Sequence, residues 1–258
     1  MKNTIRQISV VVVLLATIVI NVLANALPIN GFGTGTISDR FQVYFVPAGY
    51  VFSIWGIIYI GLIAYAVFQA LPSQKTNPRM QATGWWVVLG GLANSTWIFL
   101  WHYLKFVGTL GAMLILLGTL IIVFLQLGIN RFKVSTGELW AVRVPFSIYL
   151  GWITVATIAN VTDVLDYLNW NRFGISDATW MVIVLGAVVL ISGLMNFLRK
   201  DIAYTLVLLW ALAGIAFKFP SEGVVTVATW VAFVLVAVTF FAALFLRKNP
   251  MVENVPTA

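Results

Sequence analysis

Pro47-Ala48-Gly49-Tyr50-Val51-Phe52-Ser53-Ile54-Trp55-Gly56-Ile57-Ile58-Tyr59 opens an uncharged run that continues to Leu71. At about 1.5 Å of rise per residue, a helix of that length covers the roughly 30 Å hydrocarbon core of a bilayer. The proline and glycine at its entrance interrupt regular structure. Tyr50, Phe52, Trp55 and Tyr59 then crowd aromatic surface around its first turns. Aromatics at a helix entrance serve as interfacial anchors or as the walls of a pocket at the helix mouth, and this segment fits both roles.

Similar segments recur along the 258 residues, of which 61% are hydrophobic and only 9% charged. A mean hydropathy of +0.99 excludes a soluble globule and marks an integral, multi-pass membrane protein. The apolar segments fall at 5–27, 47–71, 84–104, 107–130, 144–161, 178–198, 202–217 and 224–246, the one at 202 being the shortest. Runs of this length satisfy their backbone groups in lipid only as helices. The expected fold is therefore an all-α bundle of eight transmembrane helices.

A net charge of +7 would suggest nucleic acid in a soluble protein, but eight crossings absorb it. With the amino terminus inside, inner positions hold Lys2, Arg6, Lys75, Arg79, Arg131, Lys133, Arg143, Arg199, Lys200, Arg247 and Lys248. Outer loops keep only Arg40, Lys105, Arg172 and Lys218, while Asp39, Asp163, Asp166, Asp177 and Glu222 also lie outside. The alternation puts both termini in the cytoplasm. The bilayer is the expected partner, and nucleic acid is not. Every charge falls in a loop or at a helix end, so no proton relay, carboxylate pair or buried ion site runs through the membrane, and ion-coupled transport loses ground.

With no cysteine and a single histidine, disulfides, thiolate metal sites, metal hydrolysis and Ser-His-Asp catalysis lack their parts, and no metal site is expected. Retinal binding needs a lysine deep in a helix, and the best placed, Lys218, lies near an outer end.

The polar groups left inside are neutral. Asn21 and Asn25 share a face of helix one, as helix–helix glue or as ligand contacts, glue being the simpler reading. Pro28 is expected to end that helix. The connection to Val46 carries Gly31, Gly33 and Gly35 and reads as a mobile outer loop, since no strand precedes it to make a phosphate loop. Arg40 near its end is either solvated or set to meet an anionic head group.

In the third helix Trp85 and Trp86 suit the inner interfacial belt, and Asn94 stands one turn from Trp97. His102, at the outer end with Phe99 and Trp101, reads as interfacial rather than as a haem ligand, because nothing supplies a second strong ligand. Gly108-x-x-x-Ala112 in helix four permits close helix contact. In helix five Trp152, Ala156 and Asn160 follow at intervals of four on one face. Leu165-x-Tyr167-x-x-x-x-Arg172 fits a loose sterol-contact pattern of little weight. Trp180, Asn196, Trp210 and Trp230 in the last three segments either pack onto the bundle or mediate homo-oligomers.

Three ordered blocks resemble the tryptophan-rich sensory protein family, the bacterial relatives of the mitochondrial translocator protein. The opening stretch is similar to the family's Pro-Pro-x-Trp-Val-Phe-x-x-Val-Trp-x-x-x-Tyr entrance to its second helix. Pro47, Val51, Phe52, Trp55 and Tyr59 keep the spacing, while Ala48 stands for the second proline and Tyr50 for the first aromatic. Asn94-x-x-Trp97 resembles the motif of its third helix, and Tyr149, Trp152, Ala156 and Asn160 its Pro-Tyr-x-x-Trp-x-x-x-Ala-x-x-x-Asn helix. There the proline is replaced by Ile148, with Pro145 one turn earlier, which leaves the start of this helix open.

The resemblance covers about residues 1–171 and implies a five-helix translocator-protein-like bundle in a bacterial cell membrane. Residues 172–258 would add three C-terminal transmembrane helices and a short cytoplasmic tail. Lys2 and Arg6 before an apolar run, with Ala24-Asn25-Ala26 after it, also mimic a cleaved leader; the length of the run and the family's need for this helix favour its retention. The resemblance further implies a ligand pocket from Pro47, Trp55, Tyr59, Asn94, Trp97, Trp152, Ala156 and Asn160, covered by the outer loop. Its ligand would be a tetrapyrrole such as protoporphyrin IX or a sterol-like apolar molecule, with no required cofactor. Three functions follow from it: a receptor or sensor, a small-molecule transporter using all eight helices, or a light- and oxygen-dependent porphyrin-degrading enzyme with Trp55 and Trp152 as the reacting indoles.

Overall fold

The computed structural model describes residues 1–27 and 29–246. Pro28, Arg247, Lys248 and the carboxyl terminus, with the expectations placed on them, lie outside the described residues. Among the described residues eight long helices follow one another: α1 (Lys2–Ala26), α2 (Ile54–Ala70), α3 (Pro78–His102), α4 (Phe106–Gln126), α5 (Val144–Tyr167), α6 (Asp177–Arg199), α7 (Ile202–Lys218) and α8 (Gly223–Leu246). Six stretches, those of α1, α2, α4, α5, α6 and α8 with their flanking turns, are long and apolar enough to cross a membrane. α3 is as long as α1, but its apolar run is broken in the middle by Gly90, Gly91, Asn94, Ser95 and Thr96, and α7 has 17 residues, about 25 Å of helix.

Contacts between the connections show that the helices run alternately between two ends. At one, the basic end, Arg6 donates to Lys75 O, Arg79 pairs with Glu138, and Asn130 reaches Lys200 O. At the other, the loop end, Gln42 N donates to Asp166, Tyr44 to Glu222, Lys218 pairs with Asp39, and Ala48 N donates to Gly214 O. Helix starts are set locally. Asn77 accepts from Arg79 N and Met80 N and precedes Pro78, Ser176 accepts from Thr179 N, and Asp201 from Tyr204 N. Such caps satisfy amides that a helix start leaves unpaired.

Four boundaries differ from the sequence expectation by four residues or more, two of them being the start of α2, at Ile54 rather than 47 after the turn Gly49–Ser53, and the end of α4, at Gln126 rather than 130. α3 starts at Pro78 rather than 84, because Asn77 and Pro78 form a strong start signal below the apolar pattern. α5 runs to Tyr167, beyond 161, and is preceded by a π-helical turn, Leu139–Arg143. Pro145 therefore sits at the head of α5 instead of kinking it, and the wider turn before it removes the need for its missing N–H.

One continuous apolar cluster runs from Val10 and Leu14 of α1 to Val236 of α8. α1 to α5 surround its centre. α7 joins them where helices approach closely: a Cβ on Gly151 of α5 would stand 3.1 Å from Tyr204 O, and one on Gly214 of α7 would strike Val51. Trp210 Nε1 donates to Val51 O at 3.2 Å. α6 and α8 are tied to α7 through buried Asn196, whose Nδ2 donates to Thr239 Oγ1 (3.1 Å) while Thr205 Oγ1 donates to its Oδ1 (2.6 Å). In lipid such polar bonds, rather than apolar burial, distinguish one helix neighbour from another.

Charged side chains among the described residues fall in loops or near helix ends, but several of them are covered. Arg6, Glu138, Arg143, Asp163, Arg199 and Asp201 are all buried. They lie near helix ends, as expected, but beneath neighbouring helices and loops. Arg79 clamps Glu138 with two parallel bonds of 2.7 Å, and the Arg143 guanidinium donates to Phe132 O and Leu127 O. Hydropathy cannot reveal which end groups a loop will cover.

Candidate functional site

A cavity of about 550 Å³ opens between α1, α2, α3, α4 and α5 towards the loop end. Each helix contributes one face, set by residues three or four apart: Asn21 and Asn25, Trp55 and Tyr59, Asn94 and Trp97, Met113 and Leu116, Trp152 and Ala156. Phe52, Thr34 and Gly35 complete the mouth. Six of the eight expected site residues are thus brought together: Trp55, Tyr59, Asn94, Trp97, Trp152 and Ala156. Among the described residues that line it, none is charged.

The aromatic walls have defined geometry. Trp55 stacks on Tyr59 (centroids 5.6 Å apart, 25° between planes) and meets Trp152 edge to face at 6.2 Å. Phe52 meets Trp152 edge to face at 5.6 Å, and Trp97 stacks on Trp101 at 5.0 Å. Such arrangements fix flat faces without a hydrogen bond.

Two amide chains hold these walls. In the first, Asn21 Nδ2 donates to Asn94 Oδ1 (2.7 Å), and Asn94 Nδ2 to Tyr149 Oη (2.8 Å). In the second, Trp97 Nε1 donates to Asn160 Oδ1 (3.2 Å), and Asn160 Nδ2 to Thr109 Oγ1 (2.9 Å). Asn160 therefore stands behind Trp97 and orients it, outside the cavity wall. Pro47 is also outside: it packs near Gly214 of α7 and shapes the turn that delivers Phe52 and Trp55. Asn21 serves both as glue and as lining. Sequence reasoning missed Tyr149 and Met113 as partners of the site, although Tyr149, three residues before Trp152, carried a helical signal for the first.

Trp97 and Trp101 pair their indole N–H groups, whereas Trp152, only 2% exposed, has no hydrogen-bond partner for its Nε1 among the described residues. Buried donors are almost always paired, and leaving one unpaired costs about 1–3 kcal/mol.

The mouth is covered by the connection 29–38, which folds into short helical turns. Trp101 Nε1 donates to Thr34 O at 3.2 Å, and Asn30 Nδ2 to His102 O at 3.0 Å. His102, expected at the interface, is fully buried. Its Nδ1 lies 3.2 Å from Ile29 O and its Nε2 3.1 Å from Thr34 Oγ1. Because Ile29 O only accepts, Nδ1 carries a proton directed at it, while Nε2 is engaged by the Thr34 hydroxyl. Both ring nitrogens are engaged, so the ring offers no ligand atom to the cavity. Arg40 lies over the Phe32 ring at 4.1 Å and is not in the lining.

No curated protein and no solved structure matches the chain. A family model described as TSPO-like protein matches residues 7–245, through all eight helices and beyond the 1–171 covered by the sequence blocks. That match, with the aromatic cavity lying where the family's ordered blocks converge, places this chain in the TSPO-like protein family.

Proposed function

We propose that this protein is a membrane receptor or sensor that takes a flat, mostly apolar ligand with a hydrogen-bond acceptor, of the tetrapyrrole or sterol-like class, into the cavity between α1 and α5. The buried Trp152 N–H, unpaired among the described residues, carries the reading: a buried donor beside a cavity of about 550 Å³ supplies one directional contact for an acceptor on the ligand. Trp55, Tyr59, Trp97 and Trp152 supply stacking faces, Asn25 a neutral polar rim, and small Ala156 leaves room. An uncharged wall favours neutral ligand surface and leaves ionised groups towards the mouth.

Protoporphyrin IX titrated into purified protein tests this by tryptophan quenching, in the dark and in light. Saturable micromolar or tighter binding is expected, weakened by Trp152→Phe far more than by Trp230→Phe, because Trp230 packs on Phe217 and Phe233 away from the cavity. Equal effects of the two variants would mean partitioning into detergent and would remove the proposal. A new absorbing species formed only under light and oxygen would move the reading to porphyrin degradation, where the Trp55–Trp152 contact faces the ligand. Flux across liposomes would move it to transport.

A further inference from the structure

A second hollow, of about 700 Å³, lies on the other side of α5, between α2, α5 and α7. Its walls are apolar and face outwards: Ile57, Leu206 and Trp210 are each more than a third exposed. It runs along α7 from Asp201 at the basic end to Trp210. Nine residues of helix rise span roughly 14 Å, about the depth of one leaflet's hydrocarbon.

Its basic end is polar and built. Arg143 is 3% exposed, and its guanidinium is fixed by Phe132 O and Leu127 O. Among the described residues its Nε has no hydrogen-bond partner; Glu138 Oε1, 3.9 Å away, pairs with it by charge but is too far for a hydrogen bond. Lys200 borders the same end in a left-handed conformation that closes α6. Among the described residues the one acid bordering the hollow, Asp201, is turned to protein donors, accepting from Ser147 Oγ at 2.6 Å and Tyr204 N at 3.1 Å. Among the described residues that border it, this end carries two cationic side chains, Arg143 and Lys200, against the one carboxylate, with Arg143 Nε the unmet donor, and basic clefts between helices on this side of a membrane bind acidic head groups.

We propose that this hollow holds one anionic phospholipid of the surrounding bilayer, its phosphate at Arg143 and Lys200 and an acyl chain along Ile57, Ile148 and Leu206. The site is separate from the aromatic cavity and stands whether or not that cavity binds a porphyrin. The occupant comes from the leaflet because the hollow is open to lipid along its length and matches the depth of a chain, whereas a free phosphate would fill only its end.

Native mass spectrometry of the full chain released from nanodiscs of equimolar phosphatidylglycerol and phosphatidylcholine tests it. One phosphatidylglycerol is expected to be retained about tenfold over phosphatidylcholine. Lys200→Glu should abolish the preference, and Ala203→Trp, which fills the hollow, should remove the bound lipid. Ile57→Trp, on the opposite wall, serves as the second filling variant, and thermal unfolding in detergent shows which variants are folded. Equal retention of the two lipids, or retention that survives Lys200→Glu and a folded filling variant, would overturn the proposal. A glycerol phosphate adduct as stable as that of the lipid would also overturn it, making the site one for a small ion.

Discussion

The indole N–H of Trp152 and the methyl of Ala156 stand one helical turn apart and mark the two things a site on α5 must supply, a donor and space. Ala156 borders the cavity, so Ala156→Phe is expected to place a ring where the ligand lies while the fold is kept. The check is thermal unfolding and porphyrin titration on one preparation: an unchanged melting temperature with binding lost. Overpacking by about 1–3 kcal/mol with binding kept would take α5 out of the cavity wall. Asn160 predicts the reverse pattern. Removing its amide leaves Trp97 Nε1 and Thr109 Oγ1 without their partner, so Asn160→Leu should lower stability by about 1–3 kcal/mol before it affects any ligand. Asp201 adds a pH test. Burial holds its carboxyl above the ordinary range, against the pull of Ser147 and Tyr204 N. A raised folded value means that the folded state holds this proton more tightly, so the group favours folding below the ordinary carboxylate pKa and loses that contribution as pH rises through its folded value. Asp201→Asn keeps a capping oxygen and should flatten this part of the stability profile between acid and neutral pH, as read by melting temperature.

At the scale of elements, the connection 29–38 and the turn Gly49–Ser53 decide what the cavity becomes. The first is latched by His102, which bonds Ile29 O and Thr34 Oγ1 from beneath. His102→Ala leaves the helices in place and frees the cover, so the dissociation rate of a bound porphyrin is expected to rise about tenfold, equivalent to roughly 1.4 kcal/mol. An unchanged rate in stopped-flow displacement would mean that ligands leave by another route. The second is held by α7, since Gly214 admits Val51 where any side chain would collide. Pro47 thus acts through the fold, setting the turn against α7, and not by touching the cavity.

Across the whole molecule, the alternation of the two ends makes the topology testable. Reporters inserted in the connection at Lys133 and after Arg172 are expected on opposite sides of the membrane, with Lys133 in the cytoplasm because basic residues gather at that end. The same side for both would remove the arrangement. The family match through α8 and the seating of α7 on α5 and on the 49–53 turn mean that the last three helices are bonded to the rest and not simply appended. Their polar ties, Asn196 to Thr205 and Thr239, are the bonds expected to resist separation in detergent.

The sequence by itself determined the membrane class, the helices and the family, because hydropathy over twenty residues and motif spacing along one helix are local properties. It also determined which residues share a face, and so assembled Trp55 with Tyr59, Asn94 with Trp97, and Trp152 with Ala156. Only the tertiary structure decided which faces meet. It set Asn160 behind Trp97, turned Pro47 towards α7, buried His102 as a latch and covered Arg143 and Asp201 at the basic end. Those outcomes depend on how distant helices and loops pack, where one amide or one glycine selects the neighbour, and no period along the chain records that choice.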